Sequence, residues 1–84
     1  MTFEIKFSKQ ATKFIKRLPE DIKDRIKRKF KEVSEDPSRY LEHYEGDGCH
    51  KLRIGDFRAL IDADFNGEVL FIRVFDRRER IYKR

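Results

Sequence analysis

Eighty-four residues, 38% hydrophobic and 44% charged, with eight Phe, no Trp and a net charge of +5, suit one small domain over residues 1–84. Charges alternate with apolar residues instead of forming blocks, which argues against disorder, and no apolar run approaches the roughly 20 residues that span a bilayer. The only cysteine, Cys49, excludes an intramolecular disulfide. The positive balance favours an anionic partner, whether nucleic acid, acidic protein or membrane surface. Met1-Thr2-Phe3-Glu4-Ile5 lacks the basic start and long apolar stretch of a signal peptide, so a reducing, cytoplasmic location is expected.

Phe3, Ile5 and Phe7 alternate with Glu4 and Lys6, the period of a half-buried strand. Ser8 stands as a helix N-cap before Ala11, Phe14, Ile15 and Leu18 at helical spacing. Pro19 cannot continue that helix but suits the first turn of the next, where Glu20 and Asp21 complement the positive end. Ile22, Ile26, Phe30 and Val33 carry a second amphipathic helix to about Glu35, and Asp36-Pro37 ends it. The two helices form an antiparallel hairpin. Residues Ser38 to Gly48 read as a polar loop holding Tyr40, Leu41 and Tyr44 and closed by Gly46-Asp47-Gly48.

Strands are expected from Cys49 to Ile54 and from Phe57 to Phe65, around a Gly55-Asp56 turn. Asn66-Gly67 predicts a two-residue hairpin, because both residues tolerate positive φ. Glu68 to Phe75 makes the last strand, and a basic tail follows. This order predicts an α+β domain: an N-terminal strand, a helical hairpin, then a three-stranded antiparallel meander in one sheet, with the helices on one face.

Period-two alternation divides the strands. Leu52 and Ile54 share the core face with Phe57, Ala59, Ile61 and Ala63 and with Leu70, Ile72 and Val74. The open face gathers Lys51, Arg53, Arg58 and Arg73 beside Phe71 and Phe75, with Leu60, Asp62 and Asp64. Arginines interleaved with aromatics suit RNA, since fixed cations hold phosphates and rings stack on bases. The plainer reading is a solvated face whose arginines pair with Asp62 and Asp64 across strands, and composition alone favours it. His43, Cys49 and His50 with Glu45 match no zinc spacing, and the adjacent Cys49 and His50 face opposite ways on a strand, so no metal or other cofactor is expected. The run from Lys23 to Lys29 reads first as the wet side of an amphipathic helix, and only second as a nucleic-acid or membrane contact. Phe3, Phe7, Phe14 and Phe30 are expected in the core.

Several features together resemble the RelE/ParE superfamily of bacterial and archaeal toxins, and within it the RelE branch, over nearly the whole chain. They are the block Lys51-Leu52-Arg53-x-Gly55-x-Phe57-Arg58, the closing Arg78-x-x-x-Tyr82, the opening strand, the break at Leu18-Pro19 and the stop at Asp36-Pro37. The resemblance implies a small endoribonuclease that enters the ribosomal A site, cuts mRNA there and is held inactive by a RelB-like antitoxin, with no membrane partner. It implies catalytic roles for Lys51 in the cleft, Arg58 at the reacting phosphate, Arg78 (or Arg77, one register apart) in the C-terminal block, and Tyr82 beside the cleaved nucleotide. Arg53, Arg73, Arg77 and Arg80 are the expected RNA-binding cations around them. Many relatives carry His before the C-terminal arginine, where Arg77 stands here, and some continue into a further helix.

Cleavage by a 2′-hydroxyl needs in-line geometry, charge relief on the phosphorane and two proton transfers. Arginine supplies the second strongly but is a poor general base. Lys51 or the Tyr82 phenol are the groups left for proton transfer. Ribosomal alignment of the message would compensate, since positioning alone contributes roughly 7–11 kcal/mol. The same fold also supports a ParE-like toxin that binds DNA gyrase without nuclease activity, or an inactive binding module. Arg78 and Tyr82 joined to Lys51 and Arg58 are cations and an aromatic that a gyrase binder would not need.

Overall fold

The computed structural model describes residues 2–44 and 49–77. Among them run β1 (Glu4–Phe7), α1 (Lys9–Lys16), α2 (Glu20–Glu35), α3 (Pro37–Tyr40), β2 (Glu42–Tyr44), β3 (Cys49–Ile54), β4 (Phe57–Asp64) and β5 (Val69–Arg77). The strands form one sheet in the order β1-β5-β4-β3-β2. The β2–β3–β4–β5 neighbours are antiparallel, and β1 lies parallel to β5. The helices between β1 and β3 cover one face, so the expected α+β architecture is the observed one.

Local chemistry explains the helix ends. The Ser8 hydroxyl accepts the Ala11 N–H at 3.1 Å and donates to the Arg73 carbonyl at 2.7 Å, capping α1 and tying it to β5. Pro19 closes the break, and its carbonyl accepts the Lys23 N–H at 2.9 Å as α2 begins. Pro37 both ends α2 and opens the single turn of α3, where a missing N–H costs nothing. Ala11, Ile26, Phe30 and Val33 from the helices meet Leu52, Ile54, Phe57, Ala59, Ile61, Leu70, Ile72 and Phe75 from the sheet. At the centre, the Phe75 ring stacks on Phe57 at 5.6 Å between centroids and meets Phe14 at 5.7 Å.

Four features depart from the sequence reading. Part of the expected loop is ordered as α3 and β2, elements of four and three residues that are too short to show a period. The Asn66-Gly67 connection is not a two-residue turn. Asp64 still pairs with Val69, Asp64 Oδ1 accepts the Gly67 N–H at 2.9 Å, and the positive φ falls on Glu68 at 56°. The expected core residue Phe7 packs edge-on against Phe30 but is 40% exposed.

The fourth departure changes the open face. Pairing steps from Leu60↔Val74 to Ile61↔Ile72, so Arg73 enters β5 as an extra residue, a β-bulge. Beyond it every side chain changes face. Phe75 therefore lies in the core, fully buried opposite Ala59, and not on the open face, while Val74 faces outward beside Leu60. Past the end of β1, the outer edge of β5 is closed by α1: Gln10 donates to the Phe75 carbonyl and accepts the Phe75 N–H, both at 2.9 Å. One amide side chain here substitutes for a neighbouring strand.

Candidate nucleic-acid interface

Lys51, Arg53, Arg58 and Arg73 all start from the sheet face away from the helices. Arg53 and Arg58 are direct cross-strand partners on β3 and β4. Lys51 faces Leu60, two positions along β4 from Arg58, so Lys51 and Arg58 are diagonal neighbours at roughly 7–8 Å. On its other side Lys51 meets Glu42 of β2, with Nζ 3.7 Å from Oε2. Arg73, carried outward by the bulge, lies with Nε 3.5 Å from Asp62 Oδ2. Phe71 stands beside Asp62 and Lys6 in the register and is 38% exposed, an accessible ring on this face.

Burial separates these cations. Arg58 is only 9% exposed and faces the buried Asp76 across β4 and β5. Asp76 is itself anchored, its Oδ1 accepting the Arg77 N–H at 2.7 Å. A guanidinium enclosed by burial has fewer orientations open to it, whereas an exposed one must be ordered by its ligand. The expectation of a surface cation at Arg58 is therefore corrected: the flanking strands enclose it. Arg53 behaves differently. Its backbone lies opposite Arg58, but its side chain is exposed and turns to the hairpin tip, where Nε donates a long 3.4 Å bond to the Gly55 carbonyl.

Arg77 is not beside Arg58. The bulge places it opposite Phe57 on the helix side, its guanidinium 5.6 Å from the Phe57 ring centroid, in a cleft with Leu18, Pro19 and Ile22. Arg78, Arg80 and Tyr82 lie outside the described residues, as does Glu45. Among the described residues no group of three His, Cys, Asp or Glu side chains is placed to hold a metal. No described helix is long and apolar enough to cross a membrane. Glu42 is the residue the sequence reading missed, because a three-residue strand inside a polar segment gives no periodic signal.

The sequence matches, over residues 5–81, the family described as the ParE toxin of the type II toxin–antitoxin system parDE. The chain belongs to that family, within the RelE/ParE superfamily of toxins. Its fold is similar to a chain of the toxin–antitoxin complex RelBE2 from Mycobacterium tuberculosis, with 22% identity, a TM-score of 0.81, and coverage of 93% of this chain and 100% of that one. A chain of the archaeal RelE–RelB complex from Pyrococcus horikoshii matches with 23% identity and a TM-score of 0.76, covering 95% and 99%. Free Escherichia coli RelE, as a variant with two arginines changed to alanine, matches with 21% identity and a TM-score of 0.76, covering 99% and 93%. At these identities the likeness is one of fold. No curated protein matches the sequence.

Proposed function

We propose that this toxin is a ribosome-dependent endoribonuclease that cuts mRNA in the A site, inhibits translation, and is held inactive by a RelB-like antitoxin. The observation that carries the reading is the cross-strand set on the uncovered face: Arg58 opposite Arg53, with Lys51 on the diagonal. In the reaction, the 2′-oxygen attacks the adjacent phosphorus as its proton leaves. The P–O5′ bond breaks and the 5′-oxygen takes up a proton, leaving a cyclic phosphate. Arg58, enclosed by burial, relieves charge on the phosphorane, and Lys51 supplies a second cation at the same cleft. Glu42, within 3.7 Å of Lys51, is the carboxylate placed to take the proton that arginines cannot. In this reading Arg78 and Tyr82 complete the site from the C-terminal block, Arg78 on the phosphate and Tyr82 against the base. Arg73 and Phe71 extend the surface along the message, Arg53 adds charge toward the hairpin tip and Arg80 in the C-terminal block, while Arg77, on the helix side, stands apart from it.

Solved neighbours include RelE bound to RelB, in the Escherichia coli and Methanococcus jannaschii complexes among others, which supports an antitoxin as partner. The test is primer-extension mapping of mRNA incubated with the protein, with and without ribosomes. Cuts are expected only when ribosomes are present. The family match to ParE favours a second reading, a toxin that binds DNA gyrase. Gyrase inhibition without any mRNA cut would replace the nuclease reading with that one.

A further inference from the structure

We infer that the cleft between α2 and the tip of the β3–β4 turn is a further binding site for the RNA phosphate backbone, joined to the open face of the sheet through Arg53. The cleft has a volume of about 330 Å³ and is lined by Arg25, Arg28, Lys29 and Glu32 of α2 and by Arg53, Ile54 and Gly55. It sorts the basic run of α2 into three groups. Lys23 pairs with Glu20 at 3.3 Å, Lys27 turns to the opposite side of the helix, and Arg25, Arg28 and Lys29 face the hairpin tip.

Within the cleft only Lys29 has an acidic neighbour, Glu32 at 3.7 Å, and Lys29 also lies over the Tyr40 ring. Among the described residues no carboxylate forms an ion pair with Arg25, Arg28 or Arg53. The bond Arg28 makes from Nε goes to the Asp24 carbonyl at 3.4 Å. With Glu32 engaged by Lys29, the cleft holds three arginines and a lysine against one carboxylate, and this excess of positive charge favours a polyanion.

Geometry selects the occupant. Arg25 and Arg28 are three residues apart on one helix, about 5–6 Å at Cβ, the scale of neighbouring phosphates along a strand. Guanidinium forks match phosphate oxygens in pairs. The lining offers little apolar floor for the Leu or Phe anchors of a bound protein segment, unlike the apolar groove on the far side of α2. Arg25, Ile54 and Gly55 also line the adjoining cleft, where Arg77 stands with Asp56, so two cations and one carboxylate continue the surface around the tip. Gly55 sits at its edge: its φ is 58°, and a Cβ there would stand in ordinary contact, 3.8 Å, with the Arg25 guanidinium. The site stands on charge and geometry, whether or not the chain cuts RNA.

The test measures binding of the full chain to a 2′-O-methyl RNA hairpin, which cannot be cut by a 2′-hydroxyl, across a salt series. Arg25→Gln/Arg28→Gln should weaken binding on the order of tenfold and lower the salt slope by roughly 1.4–1.8, two phosphates' worth. The surface double variant Lys9→Gln/Lys13→Gln loses the same charge and should change both much less. Gly55→Asp places a carboxylate against Arg25 without touching α2, and should weaken binding where Gly55→Asn, which also tolerates positive φ, does not. Equal losses in the cleft and surface variants, or equal behaviour of the two Gly55 variants, would overturn the inference. So would unchanged RNA affinity accompanied by weaker antitoxin binding, which would assign the cleft to an acidic protein. Ribosome-free binding that fails while mRNA is still cut on ribosomes would reject this site and leave the nuclease reading standing.

Discussion

Arg58 shows how much one residue's role depends on burial that a sequence does not display. Alternation places it on the sheet face away from Phe57 and the core, which is correct, but the strands around it leave it 9% exposed with Asp76 directly across. Arg58→Ala should therefore do two things. It should slow ribosome-dependent cleavage by on the order of 10²–10³, the usual loss of a transition-state charge contact. It should also cost about 1–3 kcal/mol of stability, because Asp76 stays buried after its facing cation has gone. Urea titration beside the cleavage assay separates the two effects. A variant as stable as the parent would show that Asp76 is satisfied without Arg58. Arg58→Lys should recover much of the stability and little of the rate, since a point charge lacks the two-pronged geometry. Glu42→Gln tests a different role: if Glu42 takes the proton, the rate falls and its dependence on pH changes while stability barely moves, as suits an exposed carboxylate. An unchanged pH profile would reduce Glu42 to a surface partner of Lys51.

At the scale of elements, the strand and helix periods were legible wherever four or more side chains repeat. That covers β1, α1, α2, β3 and β4, together with the cap at Ser8 and the helix stop at Asp36-Pro37. The basic rows Lys51, Arg53 and Arg58 could be assigned for the same reason. What alternation could not show was the bulge at Arg73, because Leu70-Phe71-Ile72-Arg73-Val74-Phe75 fits a regular strand equally well until it is paired with β4. That single extra residue moved Phe75 into the core and Arg77 to the helix side. Bulged backbone survives only when its polar groups are satisfied, and α1 provides this through Ser8 on the Arg73 carbonyl and Gln10 on both backbone groups of Phe75. Gln10→Ala should accordingly destabilise the fold by about 2–3 kcal/mol, far more than an ordinary helix-surface change. Gln10→Glu keeps the acceptor for the Phe75 N–H but sets a carboxylate against its carbonyl, so it should be destabilised as well. Denaturation midpoints check both, and a Gln10→Ala protein within 0.5 kcal/mol of the parent, roughly the range of neutral surface changes, would mean that water replaces the amide.

On the scale of the whole molecule, the two sides of α2 serve different surroundings, and that asymmetry makes a prediction about stability. Toward β1 and α1 lies an apolar groove of about 340 Å³ floored by Ile5, Phe7, Ile15 and Phe30 and rimmed by Lys16, Lys27 and Lys31. Beside it β1 is the edge of the sheet among the described strands, where one more strand can add. An amphipathic, partly acidic antitoxin segment suits both features: apolar anchors fill the groove and carboxylates meet the lysines. An 84-residue chain that leaves such a groove in water has little stability to spare. Binding therefore acts directly on folding, and at one hundred times Kd the antitoxin adds about 2.7 kcal/mol. For a domain of this size each kcal/mol moves Tm by roughly 4–8 °C, so thermal unfolding should shift upward by about 10–20 °C in the complex. Phe7→Glu gives the decisive comparison, because Phe7 is 40% exposed and its loss leaves the core in place. The variant alone should melt modestly below the parent, for the lost edge contact with Phe30, yet gain much less from the antitoxin, and the mRNA cleavage proposed for the parent should be kept because the groove lies on the opposite side of the sheet from Arg58. A full Tm gain in Phe7→Glu would move the antitoxin off this groove.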